Sequence, residues 1–377
     1  MSAVSKRPLV WLSVFLFAIS IWIRYRMSAI TNLDTAVLEK WYDYVYRHGF
    51  AGLANETFSN YPPAYLYLLW LSTLFSKWVG PLAAIKLIPT AFDFLSAYVI
   101  FLLARTKLKS DAPYLLASIF FLLPTVMLNS TAWGQIDGMY TSFLLLCVYF
   151  LLQKNSFWAL VMFGVAFSVK AQAIFLLPFL GIMFLRGLIR WHHFFLVPVV
   201  YLLLAIPAAL VGRSWASIIT LYVGQAGQFE ALSKNAPNPY IFIPNIYYHP
   251  VLEIGLGIFL VSMAVWAWIN WKAQPPVTSR QLILSALTSA ALVPFLLPKM
   301  HDRYFYPADV FSFAAAVLLP ELWFLPILFQ LASGITYTVF LFGTPPVLVG
   351  LTAILMTALV VFVVMMQVKA LKGQAQV

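Results

Sequence analysis

Four places along this chain carry side chains able to move a proton or grip an anion. Asp34 follows Asn32 and Leu33, and Asp137 closes Trp133-Gly134-Gln135-Ile136-Asp137. Lys170 opens Lys170-Ala171-Gln172, and Lys299, His301, Asp302 and Arg303 crowd together just before Tyr304, Phe305 and Tyr306. A carboxylate in hydrogen-bond reach of a hydroxyl acts as a general base. Arg offers phosphate a two-pronged fork and Lys a point charge, so the 299–303 knot suits a phosphate attached to a lipid chain. Each feature has a plainer reading. The two acids fit helix caps, Lys170 fits a cation snorkelling from a helix end, and 299–303 fits a charged hairpin. Asn235 and Asn238, in Ser233-Lys234-Asn235-Ala236-Pro237-Asn238-Pro239-Tyr240, are equally loop formers or sugar-binding amides.

The elements that hold these residues must lie in a membrane. The 377 residues are 63% hydrophobic and only 9% charged, with net charge +11, and mean hydropathy is +0.89. Soluble domains carry roughly 25% charged residues, so a water-soluble fold is excluded. The apolar runs are too long for the ~10-residue alternating strands of a barrel. They cover 9–25, 82–104, 112–128, 139–153, 156–169, 172–189, 193–212, 250–271, 280–297, 304–320, 322–342 and 346–367. The expected fold is therefore an all-α polytopic membrane protein of about 12 (11–13) transmembrane helices, built as a single domain over 1–377.

Sidedness follows from Lys and Arg, which favour cytoplasmic loops. Residues 61–79 decide it. If they dip into the interface rather than span, Lys6, Arg7, Arg105, Lys107, Lys109, Lys154, Arg186, Arg190, Lys272, Arg280, Lys369 and Lys372 share the inner side. Tyr61, Pro62, Pro63, Tyr65, Tyr67, Trp70 and Trp78 suit such a re-entrant segment. Then 26–80 is a first outer loop with juxtamembrane helices, 213–249 a second long outer loop, and Asp34, Asp137, Lys170 and the knot all face outward. Val37, Leu38, Trp41, Tyr42 and Val45 recur at helical spacing, predicting an amphipathic helix beside Asp34.

Several chemistries lack their residues. The one cysteine, Cys147, permits neither an internal disulfide nor a Cys-based metal site. There is no phosphate-binding Gly-rich loop with Lys-Ser/Thr and no Gly-x-Ser-x-Gly elbow. No cofactor and no metal are expected. The scattered cations argue against nucleic acid as a partner. Asp93, in Thr90-Ala91-Phe92-Asp93, is the clear intramembrane acid and reads as a structural hydrogen-bonder.

Five blocks in order resemble the GT-C superfamily of membrane glycosyltransferases, nearest the bacterial mannosyltransferases related to the second mannosyltransferase of GPI-anchor synthesis. They are Asp34 after the first span, Phe58-Ser59-Asn60-Tyr61-Pro62-Pro63-Ala64-Tyr65-Leu66-Tyr67, Trp133 to Asp137, Phe167-Ser168-Val169-Lys170-Ala171-Gln172-Ala173-Ile174-Phe175, and Pro298 to Phe305. The resemblance implies inverting transfer of a hexose, mannose favoured, from a polyprenyl-phosphate-sugar donor. The acceptor would be a lipid or glycan at the outer face of a bacterial inner membrane. It implies Asp34 as general base, Asp137 as the second-loop acid, and Lys299, His301, Arg303 and Lys170 around the donor phosphate. Asn60, Tyr61, Trp133, Gln135, Gln172, Asn235 and Asn238 are the expected substrate contacts. Asp34 stands alone where some relatives carry a pair of acids, which again argues against a metal. Two other classes stay open: a lipid-linked sugar transporter or flippase, which wants charges midway through its helices, and a non-catalytic subunit of a glycan-assembly complex.

Overall fold

The computed structural model describes residues 7–226, 229–273 and 276–372, so Lys6 lies outside the described residues. The chain opens with α1 (Pro8–Met27), α2 (Leu33–His48), α3 (Pro63–Thr73), α4 (Pro81–Arg105), α5 (Ala112–Phe121) and α6 (Pro124–Met127), the last running into a π-helical turn, Leu128–Trp133. It continues with α7 (Asp137–Leu152), α8 (Ser156–Val169), α9 (Leu177–Leu185), α10 (Leu196–Leu210), α11 (Trp215–Ala226) and α12 (Tyr248–Trp271). The last four are α13 (Ser279–Leu296), α14 (Tyr306–Leu318), α15 (Phe324–Phe342) and α16 (Val347–Lys372). Prolines in the first turn, where a missing N–H costs nothing, open α1, α3, α4, α5 and α6.

Among the described residues seven helices are long and apolar enough to cross a membrane, eight if the pair Ala112–Phe121 and Pro124–Trp133, bent by 52°, counts as one. The protein is an all-α polytopic membrane protein. Each of the twelve apolar runs falls on helix, but α7, α8 and the stretch Ala171–Leu185 are shorter apolar helices. The 61–79 stretch forms α3, only 11 residues long, or about 16 Å at 1.5 Å per residue. That is half the ~30 Å of a hydrocarbon core. The 213–249 segment is less irregular than its sequence suggested, because its start folds into the 12-residue α11.

The predicted amphipathic helix is α2. It turns Leu38, Tyr42 and Val45 inward while Val37 stays 44% exposed. Its cap is not Asp34. Asn32 accepts from the Thr35 amide at 3.0 Å and donates its own amide to Thr35 Oγ1 at 2.9 Å, a reciprocal capping box. Two intramembrane acids are buried rather than one. Asp93 pairs with Arg24 at 2.8 Å, and Asp309 of α14 accepts from Ser333 Oγ at 2.8 Å. Asp309 sits in a run so apolar that its sequence hid it. Cys147 is fully buried on α7.

The basic ends of the helices gather opposite the site. Arg7 lies 3.9 Å from Asp111, Ser156 Oγ meets His193 Nδ1 at 2.9 Å, and Arg280 pairs with Glu321. At the other end a two-residue parallel pairing joins β1 (Ser233–Lys234) to β2 (Met300–His301). The Lys299 amide extends that join by donating to Leu232 O at 2.8 Å.

Candidate active site

Asp34 lies in the first turn of α2 and points across to the π-helical turn. Its Oδ2 accepts from Trp133 Nε1 at 2.7 Å and from Gln135 Nε2 at 2.6 Å. Both donors sit on one oxygen, which fixes the carboxylate plane and leaves Oδ1 without a hydrogen bond among the described residues. Asp34 remains 32% exposed in its side chain. Gly134, at φ +77, makes the turn between the two donors possible. This left-handed conformation is cheap only for glycine, and a Cβ there would meet Thr35 at 3.3 Å.

Asp137 opens α7 but caps nothing; its carboxylate is fully buried and spent sideways. Oδ1 accepts from Lys170 Nζ at 2.6 Å, and Oδ2 accepts from Asn129 Nδ2 at 3.0 Å. Lys170 ends α8 in extended conformation and is buried, not snorkelling. Burial draws its pKa below the ordinary value, Asp137 pulls it back, and Arg303 adds to the lowering.

Arg303 stands between the two acids. Nη1 lies 3.7 Å from Asp34 Oδ2 and Nε 3.8 Å from Asp137 Oδ2, both beyond hydrogen-bond reach. Its guanidinium is 5.3 Å from the Trp133 ring centre, and Nε is buried with no hydrogen-bond partner among the described residues. Burial disfavours the charge, but Asp137, Tyr304 and Asp34 outweigh it and hold the pKa above the usual arginine value. The cation is therefore firmly charged while its donors are largely unspent. Tyr61 completes this wall: its hydroxyl lies 3.4 Å from Gln135 Oε1, and its ring packs edge-on to Trp41 and Tyr65.

The other expected residues divide. The His301 ring lies 5.1 Å from Tyr304, whose hydroxyl Gln172 contacts, and His301 bridges to Asn235. Asn235 holds the left-handed conformation at φ +56, which asparagine tolerates. Burial, with Arg303, Lys234 and Lys170 nearby, pushes His301 down to about 2. Its imidazole is neutral at pH 7 and offers hydrogen bonds rather than charge, unlike the cation its position in the knot suggested. Lys299 lies 5.7 Å from the Tyr248 ring centre, on the α12 side. Asn60 meets Gln225 through its backbone carbonyl. Asn238 is fully buried, its amide donating to Pro294 O and Leu297 O at 3.3 Å each. It ties the long loop to the end of α13.

Asn129 and Lys234 were not expected here. Asn129 holds Asp137, and Lys234 is close enough for Arg303, Asp302 and Asp34 to act on its charge. Asn129-Ser130-Thr131, three polar residues at the edge of an apolar run, were the available signal. Burial pushes Asp302 up to about 7 against the pull of Arg303.

Among the described residues no cluster of three or more His, Cys, Asp or Glu is placed to hold a metal ion. Oriented carboxylates, a charged guanidinium with unspent donors and flanking aromatic walls can accept a proton and hold an anion beside it.

Comparison with known proteins adds one finding. Residues 58–298 match Glycosyltransferase family 87, and no curated protein matches the chain. The matched stretch contains Tyr61, Trp133, Gln135, Asp137 and Lys170, while Asp34 precedes it and Arg303 follows it. With more than half its length inside the match, and with acids and cations converging from both within and beyond it, this membrane protein belongs to glycosyltransferase family 87.

Proposed function

We propose that the chain is an inverting glycosyltransferase that moves a hexose, mannose favoured, from a polyprenyl-phosphate sugar to a lipid or glycan acceptor. The observation that carries this reading is Arg303, a guanidinium 16% exposed and held between two carboxylates, with its buried Nε unspent among the described residues. That is donor capacity suited to a phosphate. Asp34, oriented through Oδ2, takes the acceptor hydroxyl's proton on Oδ1. The hydroxyl oxygen attacks the anomeric carbon from the face opposite the phosphate, and the bond from that carbon to the phosphate oxygen breaks. Polyprenyl phosphate leaves with one more negative charge, which Arg303 stabilises more in the transition state than in the ground state. Asp137 holds Lys170 and Asn129 and sets the field around Arg303. No metal takes part.

The same reading assigns twelve spans with both termini inside and one domain. In it α3 lies in the outer interface and the site opens on the non-cytoplasmic face of a bacterial inner membrane. The clustering of Arg7, Lys107, Lys154, Arg190 and Lys369 at the helix ends away from Asp34 supports that sidedness. The family match favours transfer over transport or a scaffold role.

The test is transfer from radiolabelled polyprenyl-phosphate mannose in membranes expressing wild type or Asp34→Asn, with the glucose donor next. Wild type is expected to make product and Asp34→Asn to lose about a thousandfold in rate, within the range for a general base. Wild-type turnover by Asp34→Asn removes the base assignment.

A further inference from the structure

The π-helical turn Leu128–Trp133 supplies a partner to each acid of the site: Asn129 to Asp137 and Trp133 to Asp34. A π turn widens the helix and weakens its own ladder, and such turns recur at functional sites. Something outside the helix must hold this one. Below it, inside the bundle, lies an ion pair that the transfer chemistry does not use.

Arg24 of α1 is 4% exposed and Asp93 of α4 is fully buried. Arg24 Nη1 donates to Asp93 Oδ2 at 2.8 Å, to Ser130 Oγ at 2.9 Å and to Thr131 Oγ1 at 2.9 Å. Nη2 donates to Phe121 O at 3.0 Å, and the guanidinium lies 4.0 Å from the Phe121 ring centre. Asp93 Oδ2 also accepts from Ser130 Oγ at 2.5 Å. A simple clamp between α1 and α4 needs only the ion pair. Here the remaining bonds converge on the segment from Phe121 to Thr131, whose helix breaks before Pro124. That break frees the Phe121 carbonyl, and Ser20 Oγ at 3.0 Å joins Arg24 in satisfying it. Unpaired backbone groups in hydrocarbon are costly, so Arg24 fixes both the break and the turn that follows. Asp93 also backs the start of α7, because a Cβ at Gly138 would sit 2.8 Å from its Oδ1. Gly138 adjoins Asp137.

We infer that Arg24 and Asp93 are positioning residues that hold the 128–133 turn in the register presenting Trp133 to Asp34 and Asn129 to Asp137. The inference rests on the reading of Asp34 and Asp137 as the working carboxylates. Sequence places Arg24 merely as a basic flank of the first span. Its burial three residues before the end of α1, bonded to two hydroxyls of the turn, is what assigns it this role.

The test uses the full chain in lipid nanodiscs. Ser130→Ala with Thr131→Val deletes the two hydroxyl grips and leaves the Arg24–Asp93 pair intact. Arg24→Lys keeps the charge but loses the fork that reaches four partners at once. The expected result is a fall in kcat of about 10- to 100-fold, the scale of a small misplacement of reacting groups, with donor KM within about twofold. Amide hydrogen exchange over 128–137 should rise while α12 and α16 keep wild-type exchange. The double variant suffices if Arg24→Lys does not fold. Unchanged exchange over 128–137 overturns the inference, and this arm needs no substrate. Raised exchange with wild-type kcat overturns it as well. Failure of the carboxylate reading shows separately, as wild-type turnover by Asp34→Asn.

Discussion

Arg280 and Arg303 bracket α13, an 18-residue helix about 27 Å long, one in its first turn and the other seven residues past its end. Both face carboxylates. Arg280 pairs with Glu321 with side chains 37% and 52% exposed, whereas Arg303 is 16% exposed beside a fully buried Asp137. In water an ion pair contributes about 0–1 kcal/mol. Taking charges out of water costs several kcal/mol each, and looser pairs recover less of it. The Arg303 contacts, at 3.7 and 3.8 Å, are poor repayment for that cost. One end of α13 spends its arginine on an exposed pair, and the other holds an arginine whose bonding capacity is kept in reserve.

The strongest way to break this comparison is to remove one buried partner. Lys170→Met leaves Asp137 charged and enclosed, and is expected to cost about 3–5 kcal/mol, read as a lowered midpoint in thermal unfolding of the purified protein. A shift no larger than that of an exposed lysine variant removes the distinction between the ends.

A smaller effect concerns pH. Asp302, whose pKa burial raises to about 7, is neutral below that value and charged above it. Its folded pKa lies above the ordinary 3.8, so the folded state holds the proton longer than the unfolded chain. Its contribution to stability is complete below about 4 and is lost as pH rises through 7. Above 7 the new negative charge beside Arg303 opposes the anionic donor proposed above, so donor KM should rise several-fold between pH 6 and 8. Asp302→Asn should flatten that rise. A KM equally pH-dependent in the variant removes Asp302 as its source.

The smallest effect sharpens the comparison from the other side. Arg280→Ala and Glu321→Ala should each leave stability within about 0.5 kcal/mol of wild type and turnover unchanged. A larger loss in thermal unfolding would show that the exposed end carries structural weight.

Residue type made Asp34, Asp137, Lys170 and Arg303 legible in sequence, because charge is so scarce here that each exception stands out. Twelve apolar runs were legible for the same reason. What stayed hidden depends on three-dimensional partnering. Arg24 reads as a flank because sequence cannot show that Asp93 waits opposite it. Asp34 reads as the cap of α2, and only the reciprocal Asn32–Thr35 bonds and the reach of Trp133 and Gln135 to its carboxylate show otherwise. Lys299 and His301 share a knot with Arg303, yet the short β2 pairing turns neighbouring side chains to different surroundings. The π turn left no periodic trace, since its six residues are fewer than any repeat requires.

The burial of Cys147 on α7 has a practical side. The one native thiol is sealed within the bundle, so a membrane-impermeant maleimide meets a silent background. Single cysteines replacing Arg47, exposed in the last turn of the helix that carries Asp34, and Lys107, exposed at the basic end, then report alone on which compartment each faces. The protein comes ready-made for mapping its own orientation, with no native residue to remove first.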